Sequence, residues 1–272
     1  MAGKDATTRD RQVGLRLRAL RETRGVTQEA LAVVVGLSPS MLQRMETGKR
    51  RIEPETVATI TTYLQVPANE RQELIDVLKA GDKGGWWEHP LPGVPEEMGL
   101  LASYAADADS LTDWSLLLVP GLLQIEPYAR AMWIANGVPA EEADLRWVAR
   151  KRRQEILGTI DYTAFIYEGA LHVPFGGPEV HRQQITHLMT ARDRGISVRI
   201  VRERQPIGVL LHSWLYMTFP SVDPVVNVEV YGGGFYLEED RVEPYTRRVE
   251  MLHDLALSSS ESRSMLQALL KE

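Results

Sequence analysis

The sequence predicts an all-α five-helix module followed by an α+β domain with an antiparallel or mixed sheet. Three observations carry that expectation. The chain has 272 residues, which fits one to two domains. The stretch 81–95, GDKGGWWEHPLPGVP, holds four glycines and three prolines in fifteen residues, too many for a regular element, and is expected to be a linker. Apolar residues recur with helical spacing before it and alternate between helix and strand patterns after it. The expected organisation is therefore 1–80, a linker at 81–95, and 96–272.

In the first segment, Val13, Leu17 and Leu20 recur at i, i+4 and i+7, and Gly25 stops that helix. Thr27 is expected to cap a second helix through Val35, Gly36 supplies the turn, and Ser38 caps a third helix that runs to Thr47 before Gly48. Pro54 suits the first turn of a fourth helix with Val57, Ile60 and Leu64, and Asn69 with Gln72 reads as a capping-box start for a fifth. In the second segment, 96–110, 124–136 and 140–157 read as helices, Thr163–Glu168 as a strand and 178–194 as a helix. Strands are expected at Ser197–Arg202, Leu210–Phe219, Pro224–Tyr231 and Gly234–Glu238, with closing helices near 240–257 and 260–271. Their short Pro/Gly/Asp connections favour antiparallel pairing.

Composition narrows the function classes. Hydrophobic residues are 44% and charged residues 25%, ordinary values for a folded chain. No apolar run approaches the roughly 18 residues a membrane helix needs, and MAGKDATTRDR lacks a signal core, so a cytoplasmic protein with no membrane partner is expected. With no cysteine, disulfides, thiolate metal sites and a cysteine nucleophile are excluded. The net charge of −6 hides a division: 1–80 carries +3, 81–272 carries −9, and Arg9–Arg51 holds ten Lys/Arg against four acids. A basic module precedes an acidic one.

Counting from Gln28 as one, small or apolar residues fall at positions 4 (Leu31), 5 (Ala32), 8 (Val35), 10 (Leu37), 15 (Leu42) and 18 (Met45), with Gly36 at 9. Two short helices that cross steeply need this pattern: a small residue where they approach, a glycine at the turn, and an apolar wedge from both. The segment VGLRLRALRETRGVTQEALAVVVGLSPSMLQRMETGKRRIEPETVATI resembles the repressor-like DNA-binding domain of XRE-family helix-turn-helix regulators, across essentially all of 12–65.

That resemblance implies double-stranded DNA as a partner, a homodimer, and a third helix, Pro39 to Glu46, in the major groove. It implies Ser40, Gln43 and Arg44 as base readers, since Arg pairs bidentately with guanine and Gln with adenine. Pro39 stands where phage repressors commonly carry a polar residue. Gln28, Lys49, Arg50 and Arg51 match phosphate-contacting positions, and Arg21 and Glu46 match an ion pair that ties the first helix to the third.

In the second segment, VPGLLQIEPYARA, RWVARKRRQEIL, IYEGAL and NVEVYGGGFYLEE resemble the C-terminal domain of WhiJ-like or antitoxin-like actinobacterial regulators, with Ile125 where Thr is usual after LLQ. The resemblance implies regulation with a small protein partner encoded nearby; a small-molecule effector in an apolar pocket of Trp, Tyr and Met is the alternative. From the residues themselves, Tyr128, Met132 and Trp133 read as core. Arg146, Arg150 and Arg153 share a helical face, read as solvated or as a patch for an acidic partner or phosphate. Trp86 and Trp87 are expected to dock the linker. None of the six histidines shows a metal spacing, so no metal and no cofactor are expected, and Gly232–Gly234 reads as a hairpin turn. Glu168 and His212 are the pair that a hydrolase reading would use; the expectation is that the chain is not an enzyme.

Overall fold

A computed structural model describes residue 6 and residues 8–79, 96–203, 212–220, 222–230 and 233–271. By its internal contacts the chain divides into two units, Met1–His89 and Pro90–Glu272. The division falls within the Gly/Pro/Trp stretch, and the expectation for Trp86 and Trp87 lies outside the described residues.

The first unit holds α1 (Thr8–Thr23), α2 (Gln28–Val35), α3 (Pro39–Glu46), α4 (Pro54–Tyr63) and α5 (Ala68–Lys79). Thr27 and Ser38 cap α2 and α3, accepting from the amides of Ala30 and Met41 at 3.2 Å each. Val13, Leu17, Leu31, Leu42, Val57 and Ile60 bury completely into a single core. The start of α5 differs from expectation. Its first residue is Ala68, so Asn69 lies inside the first turn, and Gln72 donates forward to Asp76 (2.8 Å) instead of back to a cap.

The second unit is a six-stranded mixed sheet with helices on both faces. Its elements are α6 (Glu96–Asp107), β1 (Ser110–Ser115), a 3-10 turn at Gly121–Leu123, α7 (Glu126–Ala135), α8 (Ala140–Gln154), β2 (Asp161–Tyr167), α9 (Gly177–Met189), β3 (Ser197–Val201), β4 (Trp214–Thr218), β5 (Val225–Val230), β6 (Gly233–Leu237), α10 (Glu243–Leu255) and α11 (Ser259–Leu269). Strand order is β3-β2-β1-β4-β5-β6. β1, β2 and β3 run parallel, joined by helical crossovers, whereas β4, β5 and β6 form an antiparallel meander placed against β1.

The expected helix 96–110 ends at Asp107, and the next residues enter β1, the strand the sequence reading lacks. Ser110–Ser115 carries only two large apolar residues, Leu111 and Trp114, whose spacing suits a helix as well as a strand. It becomes a strand because β2 and β4 pair with it on its two sides. The strand expected at Leu210–Phe219 is narrower, Trp214–Thr218, with 210 and 211 outside the described residues. Gly233 and Gly234 belong to β6 and pair with Val230 and Glu229, so the turn expected at Gly232–Gly234 reduces to the connection before Gly233.

One sheet face, with Leu111, Tyr162, Ala164, Ile166, Ile200 and Met217, packs under α6, α7, α9 and α11. The other, with Trp114, Phe165, Trp214 and Tyr216, packs under α10. Trp133, Tyr128 and Met132 are buried as expected of core residues.

Candidate nucleic-acid interface

The first unit's site is set by how closely α1 and α3 approach. At Gly14 of α1 a Cβ would stand 2.1 Å from the carbonyl oxygen of Met45, so only glycine lets the helices meet there. Gly48, beyond α3, has φ +65° and would press a Cβ to 2.5 Å from that of Arg11. Neither contact is visible in apolar spacing: Gly48 is expected only as the stop after α3, and Gly14 has no expected role. Gly36 closes α2 with φ +67°, and its successor Leu37 donates to the Ala32 carbonyl (2.9 Å), which turns the chain into α3.

Arg21 and Glu46 join α1 to the end of α3. Arg21 Nε donates to Glu46 Oε1 at 2.6 Å, Nη2 to Oε2 at 2.9 Å, and Nη1 to the Val26 carbonyl at 2.9 Å. The two residues are 7% and 1% exposed. Hydrogen bonding to Glu46 outweighs the cost of burial and raises the Arg21 pKa. Gln28, read as a phosphate contact, donates to the same carboxylate at 2.7 Å, so one of its amide hydrogens already serves this pair.

With Leu42 and Met45 buried, α3 turns Ser40, Gln43 and Arg44 outward. The Ser40 hydroxyl lies 3.1 Å from that of its neighbour Ser38, whereas the side chains of Gln43 and Arg44 make no hydrogen bond among the described residues. The other basic residues of the segment are largely engaged. Arg11 is buried, Arg16 pairs with Glu70, Arg18 with Glu22, and Arg24 donates to the Leu64 carbonyl at 2.6 Å. Lys49 and Arg50 are exposed and unpaired among the described residues, and Arg51 lies 3.9 Å from Glu53. Pairing elsewhere thus concentrates the uncompensated positive charge on α3 and the turn after it.

In the second unit, the basic face read on α8 is corrected. Arg146 is half-buried and bound to Glu142 (2.6 Å), while Arg150 and Arg153 are each only 8% exposed and face the protein interior. Arg150 donates to Gln124 and lies over the Trp133 ring, 4.5 Å from its centroid. Burial, then the neighbouring Arg153, lowers its pKa to about 9. Asp113 of β1 faces the same region, accepts from the Tyr162 hydroxyl at 3.1 Å, and is pushed up to about 7 by burial against that hydrogen bond.

Glu168 accepts from the Glu203 amide (3.0 Å), and His212 shares a hydrogen bond with the Tyr245 hydroxyl (2.8 Å); no hydrogen bond or ion pair joins the two. Burial, and then Arg248, lowers the His212 pKa. Trp114, Trp133, Trp214, Tyr128, Tyr162 and Tyr216 are packed into the core, where the apolar-pocket reading had wanted aromatic residues lining a cavity. A cleft of about 520 Å³ between α9, β3 and α11 is lined by Leu188, Met189, Ile196 and Leu266 beside Arg192 and Arg263; of the Trp, Tyr and Met expected in a pocket it has only the Met. Among the described residues no three or more His, Asp or Glu gather as metal ligands would, and no helix is long and apolar enough to cross a membrane.

The family model described as a helix-turn-helix domain matches residues 12–74, which makes the first unit the DNA-binding domain of a regulator. A second family model, described as a domain of unknown function (DUF5753), matches residues 98–268. No curated protein matches the chain. Because the second match covers well over half of its length, the chain belongs to the DUF5753 family.

Proposed function

We propose that the chain is a sequence-specific, XRE-type transcriptional regulator that binds double-stranded DNA as a homodimer, on half-sites about one helical turn apart. The observation that carries this reading is the concentration of unpaired cations on and after α3. Gln43 and Arg44 read base edges, Ser40 adds a short-range contact, and Pro39 has no amide hydrogen to offer. Lys49, Arg50, Arg51 and the remaining amide hydrogen of Gln28 hold phosphates. Val33 (82% exposed), Val34 and Tyr63 on α2 and α4 leave apolar surface that a second copy would cover. Fluorescence anisotropy on a duplex recovered by genomic selection, at several salt concentrations, tests the reading: affinity falls steeply with salt as phosphate contacts release counterions. Salt-insensitive binding, or binding without sequence preference, overturns it.

The second unit is the regulatory part, cytoplasmic like its DNA target, and binds a small antitoxin-type protein partner. Exposed Leu145 and Val148, three residues apart on α8, and exposed Ile134 on α7 and Leu117 supply apolar surface for it. Co-purification with the products of adjacent genes tests this, and substitution of Leu145 and Val148 by Ser should release the partner. The unit is not a catalyst in this reading, since Glu168 and His212 are engaged separately. Substrate turnover lost on changing either residue would reverse that.

A further inference from the structure

The buried arginines of α8 have a use that neither DNA contact nor partner binding supplies. Arg150 and Arg153 stand one helical turn apart, each over nine-tenths buried. Arg153 makes no hydrogen bond or ion pair among the described residues, and the Nε atoms of both guanidiniums have no hydrogen-bond partner. Glu229 acts on Arg150 only at a distance, from an exposed position on β5. Asp113, a half-buried acid of the region, is held by Tyr162 and pulled toward its neutral form. Two like charges therefore share an interior with no carboxylate among the described residues bound to either, an arrangement that is costly unless something completes it.

The surroundings are built around the pair. Both guanidiniums converge on Gly121 in the Pro-Gly-Leu-Leu-Gln turn. A Cβ at that position would lie 3.0 Å from Arg153 Nη2, 3.4 Å from Arg150 Cζ and 3.5 Å from Arg150 Nε. Four side chains clamp the turn. Gln124 donates to the Val119 carbonyl (2.7 Å) while accepting from Arg150. Gln154 donates to the Gln124 carbonyl (2.8 Å). Gln184 donates to the Leu123 carbonyl and accepts from the Ile125 amide, both at 2.8 Å. The Tyr128 hydroxyl accepts from the Val119 amide at 3.3 Å. Trp133 fixes Arg150 by its face and leaves the edge donors to act in the plane. Two buried guanidiniums packed against a fixed turn, with both Nε donors unpartnered among the described residues, offer converging donors to an oxygen anion.

We infer that Arg150, Arg153 and the Gly121 turn form a subsite for the anionic group, phosphate or carboxylate, of a small-molecule ligand of the DUF5753 domain. The subsite goes beyond the DNA-binding reading and does not depend on it. It gives an effector a place in the fold other than the apolar Trp, Tyr and Met pocket that the sequence offered as the alternative.

The test is a titration of the full chain, in chloride buffer at constant ionic strength, with inorganic phosphate in one arm and acetate in the other, followed by thermal unfolding and calorimetry. A saturable rise in Tm in either arm is expected, and the arm that responds assigns the anion class. Arg153→Met and Arg150→Met should each weaken that response roughly tenfold or more. Without anion, Arg153→Met should raise Tm, because it relieves the buried repulsion. Arg146→Gln, on the same helix but paired with Glu142, should leave the response unchanged. If Arg150→Met does not fold, Gly121→Ala crowds both guanidiniums with both arginines kept, and should remove the saturable response while circular dichroism stays unaltered. No saturable response in either arm, or the same response in Arg153→Met or Gly121→Ala, overturns the subsite. So does a loss of Tm in anion-free Arg153→Met, which would make Arg153 a structural residue.

Discussion

The two units treat buried arginine in opposite ways. In the first, Arg21 finds a bidentate carboxylate and a backbone carbonyl, and Gln28 donates to that same carboxylate, so the charge is answered inside. In the second, Arg150 and Arg153 enter the interior together and find no bound carboxylate among the described residues. The unpaired cations of the first unit lie outside, on and after α3, whereas those of the second lie within. A closed buried pair positions a helix; an open one awaits a partner that is not part of the chain.

The comparison is tested most severely at the closed pair. Glu46→Ala leaves Arg21 buried and uncompensated and should cost about 3–5 kcal/mol of first-unit stability, read from urea denaturation and amide exchange in α1 and α3. The half-exposed Arg16–Glu70 pair should show no more than about 1 kcal/mol by the same measurement. A double-mutant cycle on Arg21 and Glu46 with coupling near zero would erase the contrast between the units.

Next in size is Gly14→Ala. A methyl 2.1 Å from the Met45 carbonyl must push α3 away, at a cost of roughly 1–3 kcal/mol. DNA affinity should fall with it, although no DNA contact is removed. The outward charges come after: Arg44→Ala should lose about 1–3 kcal/mol on the preferred site and relax base preference, while Arg50→Ala weakens all sequences alike and lowers the salt slope by about one. Equal losses on every duplex for both variants would show that the α3 charges do not divide into readers and clamps.

A further effect concerns pH at the open site. Asp113 is held near 7 in the folded protein by burial, against about 4 in the unfolded chain. Between those values the folded state binds the extra proton, so this residue lowers stability as pH rises from about 4 to about 7 and adds no further change above. Urea midpoints of Asp113→Asn at about pH 5 and about pH 8 should differ less than those of the unaltered chain. An unchanged difference would mean that Asp113 titrates as an ordinary surface acid.

Much of the first unit was legible because its determinants are local. Caps at Thr27 and Ser38, the turn at Gly36 and the spacing of Leu31, Ala32, Leu42 and Met45 act within a few residues of one another, and a linear pattern records such interactions directly. The outward placement of Ser40, Gln43 and Arg44 follows from the same periodicity. The need for Gly14, and the close approach of the helix-ending Gly48 to Arg11, escaped, since each depends on a neighbour distant in sequence. In the second unit the short turns between the last strands announced antiparallel pairing, but the parallel half of the sheet required the crossovers to be seen in space.

By itself the sequence determined the division into a basic helical module and an acidic α+β domain, the helix-turn-helix and its outward face, because periodicity, capping and charge are properties of neighbouring residues. Only the tertiary structure decided that Ser110–Ser115 is a central strand, since its pairing comes from β2 and β4 and not from its own composition. It alone decided that Arg150 and Arg153 point inward. A helical face of arginines looks solvated in one dimension, and which side of α8 meets the Gly121 turn depends on contacts between residues about thirty positions apart.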